Sequence, residues 1–244
     1  MNQVEAYERL AGVYDEIVVD PCYPVWADFL ESRWRHDPAG VADVLDVCCG
    51  TGLMAAELIE RGYTITGSDA SAAMLARARA LLGPVPVLIQ AHLPDVGTDH
   101  IFDAAISTFD GLNYVPPSAF EQSLVTIGRR LRPGGWFIFD VHTDAMMRFT
   151  LANPVVTGEA DGNHFTIESQ VDPADRTCLT SITISQARSG EPFTERHEQF
   201  FHSDEQVAAA LKAGGFTAVA TTDEYTDRSV GPETLRATWL ARRE

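Results

Sequence analysis

Positive charge is scarce in this chain: eighteen lysines and arginines stand against thirty-five aspartates and glutamates, a formal net charge of -17 over 244 residues. Sequence-blind binding of nucleic acid needs a basic surface that displaces counterions from phosphates, so that class is set aside. Long apolar runs are missing too. No stretch of about 18 apolar residues is present to span a bilayer, and no charged amino terminus leads into an apolar core as in a signal peptide; the expected location is the cytoplasm. Cysteine is sparse: Cys22, Cys48, Cys49 and Cys178 have no metal-ligand spacing, and neighbours Cys48 and Cys49 cannot readily bridge to each other. Neither a zinc site nor a disulfide framework follows. Internal repeats and low-complexity tracts are also lacking.

What is present fits one large α/β domain, since 45% of the residues are hydrophobic and can fill its core. The most informative stretch is Val-Leu-Asp-Val-Cys-Cys-Gly-Thr-Gly, residues 44–52, an apolar strand running into a glycine turn that opens a helix. Glycines at 50 and 52 allow a ligand to approach the backbone where a Cβ would collide. Cys48 and Cys49 read as small residues packed behind that ligand loop. Asp69 ends the next strand, seventeen residues past Gly52, about where a βαβ unit delivers a carboxylate to a ribose diol. The same aspartate could instead cap the helix ahead of Ser71. Gly50, Gly52 and Ala55 also satisfy G-x-G-x-x-A, so a nicotinamide dinucleotide and an oxidoreductase remain open at this point. A catalytically silent binding protein on the same fold is a further alternative.

The rest of the chain alternates regularly. Strands over 42–48, 63–68, 85–90, 102–107 and 135–141 interleave with helices over 52–61, 71–82 and 117–131, the pattern of a mostly parallel sheet covered on both faces. Ahead of this core, 42–141, an aromatic-rich segment over 1–38 suits a helical cap of amphipathic helices. After it, residues 150–202 hold β-prone runs over 164–171, 178–186 and 193–201, broken at Asp172-Pro173-Ala174-Asp175 and at Ser189-Gly190; this predicts an antiparallel insertion. Residues 203–244 supply a helix over 204–213, stopped by Gly214-Gly215, and a closing hairpin near 216–225 and 234–242.

Four segments in order resemble the motifs of class I S-adenosylmethionine-dependent methyltransferases, and of their small-molecule members: 44–52, Gly67-Ser-Asp-Ala-Ser71 with Met74-Leu-Ala-Arg-Ala-Arg79, Phe102-Asp-Ala-Ala-Ile106, and Leu131-Arg-Pro-Gly-Gly135. The resemblance implies a Rossmann-like, doubly wound seven-stranded sheet with its last strand antiparallel. It also implies S-adenosylmethionine as cofactor and S-adenosylhomocysteine as product. By position, Cys49, Gly50 and Gly52 would border the methionine part and Asp69 the ribose, while Ala70 and Met74 pack on adenine. Many relatives carry an acid after the third strand, but this chain reads Ala91-His92-Leu93; His92 could accept from adenine through an unprotonated ring nitrogen, or the backbone near Leu93 could read the adenine edge.

Transfer of a methyl group from a sulfonium is an in-line displacement, so alignment at about 3 Å and exclusion of water do most of the work. An amine acceptor needs only its neutral form, whereas a phenol, alcohol or thiol gains from a base. Ligands of open parallel sheets sit beyond the carboxyl ends of the strands, which points to the loop 108–114 and to residues 140–143. The loop resembles the Phe-Asp-Ser-Leu-Asn-Tyr run of small-molecule methyltransferases, with Gly111 in place of serine. Thr108 and Phe109 are therefore candidate cofactor contacts, and Phe109 with Asn113 the expected methyl-transfer face; Asp110 and Asn113 could equally stabilise a turn. His142 is a candidate base, or else a histidine tied to a loop backbone. Tyr14 and Trp26 of the cap are further candidates, Tyr14 bonding the cofactor carboxylate or facing the sulfonium, with Tyr7 beside them. In the run 193–202, Glu195, His197, Gln199 and Phe201 share one face and Arg196, Glu198, Phe200 and His202 the other; one face lines the acceptor pocket or both are solvated. The expected partner is a small-molecule acceptor such as a secondary metabolite of antibiotic type, with no nucleic acid and no membrane. Neither a monomer nor a homo-oligomer is singled out.

Overall fold

A computed structural model describes residues 6–18, 22–186 and 191–244. Strands β1 (Asp43–Val47), β2 (Thr64–Asp69), β3 (Val87–Gln90), β4 (Phe102–Ser107), β5 (Leu131–His142), β10 (Phe216–Asp223) and β11 (Arg236–Arg243) form one seven-stranded sheet in the order β10-β11-β5-β4-β1-β2-β3. β11 runs antiparallel to both neighbours, β5 and β10. The closing hairpin is thus present, but its second strand slots inside the sheet and leaves β10 at the edge.

Because side chains alternate across a strand, the apolar runs divide between two cores. Leu45, Phe137 and Phe139 face α5 (Pro117–Arg129) and α7 (Asp204–Ala213), packing on Leu124, Ile127 and Leu211. Val44, Ile106 and Ile138 face the other way, onto α2 (Tyr23–Trp34) and α3 (Leu53–Glu60), meeting Trp26, Leu30 and Leu58. Each such fully buried large side chain contributes about 1.5 to 3 kcal/mol. Asp46 lies among them: burial, with the nearby Asp69 charge, pushes its carboxyl up to about 8, so it is neutral at physiological pH. α4 (Ala72–Leu82) covers the β2–β3 end.

A second sheet, ordered β6-β7-β8-β9, comprises β6 (Val155–Ala160), β7 (Asn163–Asp172), β8 (Thr177–Gln186) and β9 (Phe193–Phe200), all antiparallel. Its inner face receives the N-terminal segment: Leu10, Val13 and Ile184 form a small core with Tyr7, Tyr14 and Phe165 around it. In that segment a 3-10 turn (Leu10–Gly12), a single helical turn α1 (Tyr14–Ile17) and α2 replace the continuous amphipathic helices expected there.

Two elements were not anticipated. The short helix α6 (Asp144–Ala152) follows β5 and is capped by Thr143, whose Oγ1 accepts from the amides of Ala145 (3.0 Å) and Met146 (3.4 Å). β6 adds a fourth strand to the three expected in the insertion. β5 begins at Leu131 rather than 135, with a register irregularity where the Pro-Gly-Gly turn meets β4. The expected break at Ser189-Gly190 lies outside the described residues. No described helix is long and apolar enough to cross a membrane, and among the described residues no group of three or more His, Cys, Asp and Glu is placed to hold a metal.

Candidate active site

At the carboxyl ends of β1, β2 and β4 lies a cavity whose empty space, counted out to its open mouth, is about 860 Å³. Its floor is the turn after β1. Cys48, Gly50 and Gly52 all adopt positive φ there (58°, 54° and 85°), which turns the chain sharply from strand into α3. Gly50 lines the cavity, and nothing lies within 4 Å of where its Cβ would stand. Gly52 has a different reason to be glycine: a Cβ would meet Leu82 Cδ1 at 2.9 Å and Ala78 Cβ at 3.2 Å, so it lets α4 pack against the start of α3, and it is not on the cavity wall.

Asp69 closes the floor. Its Oδ2 accepts from the Gly50 amide at 2.9 Å and its Oδ1 from the Ser71 amide at 2.8 Å. Burial raises its pKa, opposed by those amide hydrogen bonds. Each oxygen keeps a further lone pair for a ribose hydroxyl. The helix-cap role belongs to Ser71, whose Oγ accepts from the Met74 amide at 3.2 Å. A backbone open at Gly50 beside a half-buried carboxylate fits a nucleoside with a polar tail.

Tyr14, Cys49, Ala70, Met74, Thr108 and Phe109 also line the cavity. The structure keeps other expected contacts off the wall. Ala91, His92 and Leu93 follow β3 outside the lining. Trp26 sits one layer back, 3% exposed, stacked 4.4 Å from Tyr225 and 5.5 Å from Phe109, so it supports Phe109 rather than facing the cavity.

His142 and Asn113 are likewise withdrawn from the lining. Both polar ends of Asn113 are taken by backbone: Nδ2 donates to the Phe200 carbonyl at 2.7 Å and Oδ1 accepts from the His142 amide at 3.0 Å. The His142 ring turns to Asp110, with Nε2 3.5 Å from Oδ1. Asp110 is the centre of a buried charge network. Arg236 reaches Asp110 Oδ1 at 3.2 Å, Asp140 Oδ2 at 3.1 Å and Glu224 Oε1 at 2.6 Å. Gln199 donates to Asp110 Oδ2, Tyr225 to Asp140 Oδ1, and the Asp110 amide to Asp140 Oδ2. Burial alone would raise Asp110, but His142 and Arg236 outweigh it and hold the carboxyl at about 2. Asp140 goes the other way, pushed up to about 6 by burial against the pull of Arg236.

One group of polar residues was marked piecemeal in the sequence, as a cap tyrosine, a loop tyrosine and one face of the run 193–202, but not as a single cluster. Tyr7 and Tyr114 line the cavity and their hydroxyls meet at 2.7 Å. Tyr114 Oη is 3.1 Å from His197 Nδ1, and His197 Nε2 faces Glu195 Oε2 at 3.5 Å. The face of β9 carrying Glu195 and His197 is therefore buried, each residue being 1% exposed, whereas Arg196 and Glu198 point to solvent. The alternation in the sequence marks the two faces, but the partners that bury one of them lie 83 and 188 residues away.

Residues 44–135 match the model of a methyltransferase domain family. A putative methyltransferase of Bacillus subtilis, YqeM, is 26% identical over 243 residues, 97% of each chain. Among solved structures, an S-adenosylmethionine-dependent methyltransferase from Clostridium acetobutylicum superposes with a TM-score of 0.84 at 24% identity, covering 97% of this chain and 98% of that one. CalS10, an amino pentose methyltransferase from Micromonospora echinaspora involved in calicheamicin biosynthesis, was solved with S-adenosylmethionine bound; it aligns over the whole of both chains with a TM-score of 0.71 at 18% identity.

Proposed function

We propose that this chain is a class I S-adenosylmethionine-dependent methyltransferase whose acceptor is a small molecule methylated on nitrogen, oxygen or sulfur, a reading supported by the methyltransferase-domain match over 44–135 and by the likeness to YqeM. The observation that carries this is the cavity, floored by the glycine turn and roofed by Tyr7, Tyr14, Tyr23 and Phe109. A concave site with an apolar, aromatic lining and a few polar groups suits a nucleoside cofactor with a small acceptor and not the track of a polymer. The acidic surface argues the same way against phosphate-backbone substrates. The nicotinamide reading of the glycine turn falls with the domain match that spans it. A natural-product pathway is the biosynthetic setting we propose, supported by the likeness to CalS10.

S-adenosylmethionine, when bound, supplies a methyl group made electrophilic by a sulfonium sulfur. In this reading Asp69 holds the ribose, Gly50 admits the methionine portion, Ala70 and Met74 pack on the adenine, and Tyr14 and Phe109 flank the methyl. The N-terminal segment and β9 form the acceptor side and exclude water. Asp69→Asn replaces an acceptor with an amide whose NH₂ opposes the Gly50 or Ser71 amide. S-adenosylhomocysteine binding, read by isothermal titration, weakens by about 1.5 to 3 kcal/mol, the range for a hydrogen bond to a charged group. Unchanged affinity would remove Asp69 from the site.

The function itself is tested with isotopically labelled S-adenosylmethionine and a panel of small amines, phenols and thiols beside bulk tRNA and unfolded protein. Label entering the small molecules supports the reading. Label entering only tRNA or protein overturns it.

A further inference from the structure

We propose that Tyr7 and Tyr114 relay the acceptor's proton to His197, which Glu195 positions as the proton's destination. This rests on the small-molecule reading of the same cavity. Both tyrosines line the cavity, and from their hydroxyls one line of polar atoms leads inward: Tyr7 Oη to Tyr114 Oη at 2.7 Å, Tyr114 Oη to His197 Nδ1 at 3.1 Å, His197 Nε2 to Glu195 Oε2 at 3.5 Å. His197 Nε2 is buried and has no hydrogen-bond partner of ordinary geometry among the described residues, so the Glu195 carboxylate is what it faces. An Nε2–H proton is therefore the one the surroundings favour, and it leaves the Nδ1 lone pair to accept from Tyr114.

The step balances without a further reactant. As the acceptor atom bonds to the methyl carbon, the electron pair of its bond to hydrogen stays with it and its proton passes to the Tyr7 oxygen. The Tyr7 proton moves to Tyr114, and the Tyr114 proton to Nδ1. Both phenols end as they began, and the proton rests on a His197 imidazolium beside the Glu195 carboxylate. Glu195 is suited to that role. Burial opposes its ionisation, but His197 and the amides of Leu10 and Arg9 prevail and hold its pKa below the usual carboxylate value.

The two phenols are pushed well above their ordinary pKa, by burial before all else. Neither stands as a phenolate, so each passes a proton and does not store the charge. The titratable groups facing His197 are Tyr7 from the N-terminal segment, Tyr114 from the turn after β4 and Glu195 from its own strand; Tyr14, Asp110 and Cys178 stand next around Tyr114. His142, the other histidine near the site, has its Nε2 turned to Asp110 and is off the wall.

The tautomer gives a test independent of turnover. In protein labelled with ¹⁵N-histidine, neutral His197 is expected in the Nε2–H form, with an Nδ1 resonance that moves in Tyr114→Phe. An Nδ1–H tautomer, or an Nδ1 resonance indifferent to Tyr114→Phe, would overturn the relay. Kinetics supply the second reading, with phenol and 4-nitrophenol as acceptors, the latter largely ionised without help in mildly alkaline buffer. Tyr114→Phe and His197→Gln should slow phenol methylation by roughly 10²-fold or more and alter the acidic limb of its pH profile, while 4-nitrophenol loses less than about tenfold. Equal losses for both phenols, or an unchanged profile, would count against the relay. Should His197→Gln fail to fold by circular dichroism, Tyr114→Phe removes one hydroxyl only and carries the same comparison. If the wild-type protein methylates neither phenol nor any other member of the small-molecule panel, the acceptor reading is what fails, and the tautomer still decides the relay.

Discussion

Gly50→Val is expected to give a folded protein that no longer binds S-adenosylhomocysteine measurably, a loss of more than about a hundredfold in isothermal titration, since filling a closely packed site costs up to about 3 kcal/mol. Two effects combine. Gly50 has φ +54°, and a β-branched residue in the left-handed region is strained by about 1 to 2 kcal/mol, which lowers the unfolding temperature moderately. The larger effect is on the ligand, because a side chain at 50 has no protein atom within 4 Å and so enters the cavity itself. A folded Gly50→Val protein with normal affinity would mean that the turn is not the cofactor's floor.

Arg236→Met is expected to be the most destabilising of the single changes considered, by about 3 to 5 kcal/mol in chemical denaturation at neutral pH, because it strands buried carboxylates without their counter-charge. Asp110 and Asp140 each lose an ion contact of 3.1 to 3.2 Å. Arg236 also lies over the Phe109 ring at 4.9 Å, so the loop that walls the cavity loses its backing. The deficit depends on pH with a definite sign. Asp110 is held at about 2 in the folded protein, below its ordinary value of 3.8, so its pairing stabilises the fold above that ordinary value and ceases to as pH falls toward 2. Without Arg236 the carboxyls protonate more easily, so the gap between wild type and variant narrows on acidification. Arg236→Lys, which keeps the charge but not the planar fork, should fall between the two. A gap that is constant from neutral pH down to pH 3 would show that the ion contacts are not its source.

Much of the architecture was legible in the chain because it is written locally. The strand 102–107 and the helix 204–213 fall where apolar period and capping residues put them, the latter fixed by the Ser203–Gln206 capping box. The glycine turn and Asp69 are legible for the same reason: strand, turn and acid lie within one βαβ unit. β6 escaped notice because its Val-Val-Thr-Gly-Glu-Ala is short, and its valines are exposed on an edge strand rather than patterned by a core. α6 escaped because its cap, Thr143, directly abuts a strand end and only Ala145 among its residues is buried. In the site, the sequence could suggest that His142 and Asn113 lie near the carboxyl ends of the strands and Trp26 in the cap above them, but not at what depth. Depth is set by Asp110 drawing the His142 ring, by two backbone groups saturating Asn113, and by Tyr225 stacking on Trp26. The alternation marked the face that Glu195 and His197 share but not its burial, since what buries them includes residues from the opposite end of the chain.

Glu195 also does something besides facing His197. Its two oxygens accept from the amides of Tyr7 (2.9 Å), Leu10 (2.9 Å) and Arg9, so the segment that roofs the cavity is fastened by the same carboxylate that would steady the imidazolium. Any movement that lifts Tyr7 away to admit a molecule takes a hydroxyl out of the line to His197. In the proposed relay, an opened site would therefore also be one without its proton route. One side chain would thereby tie reactivity to enclosure.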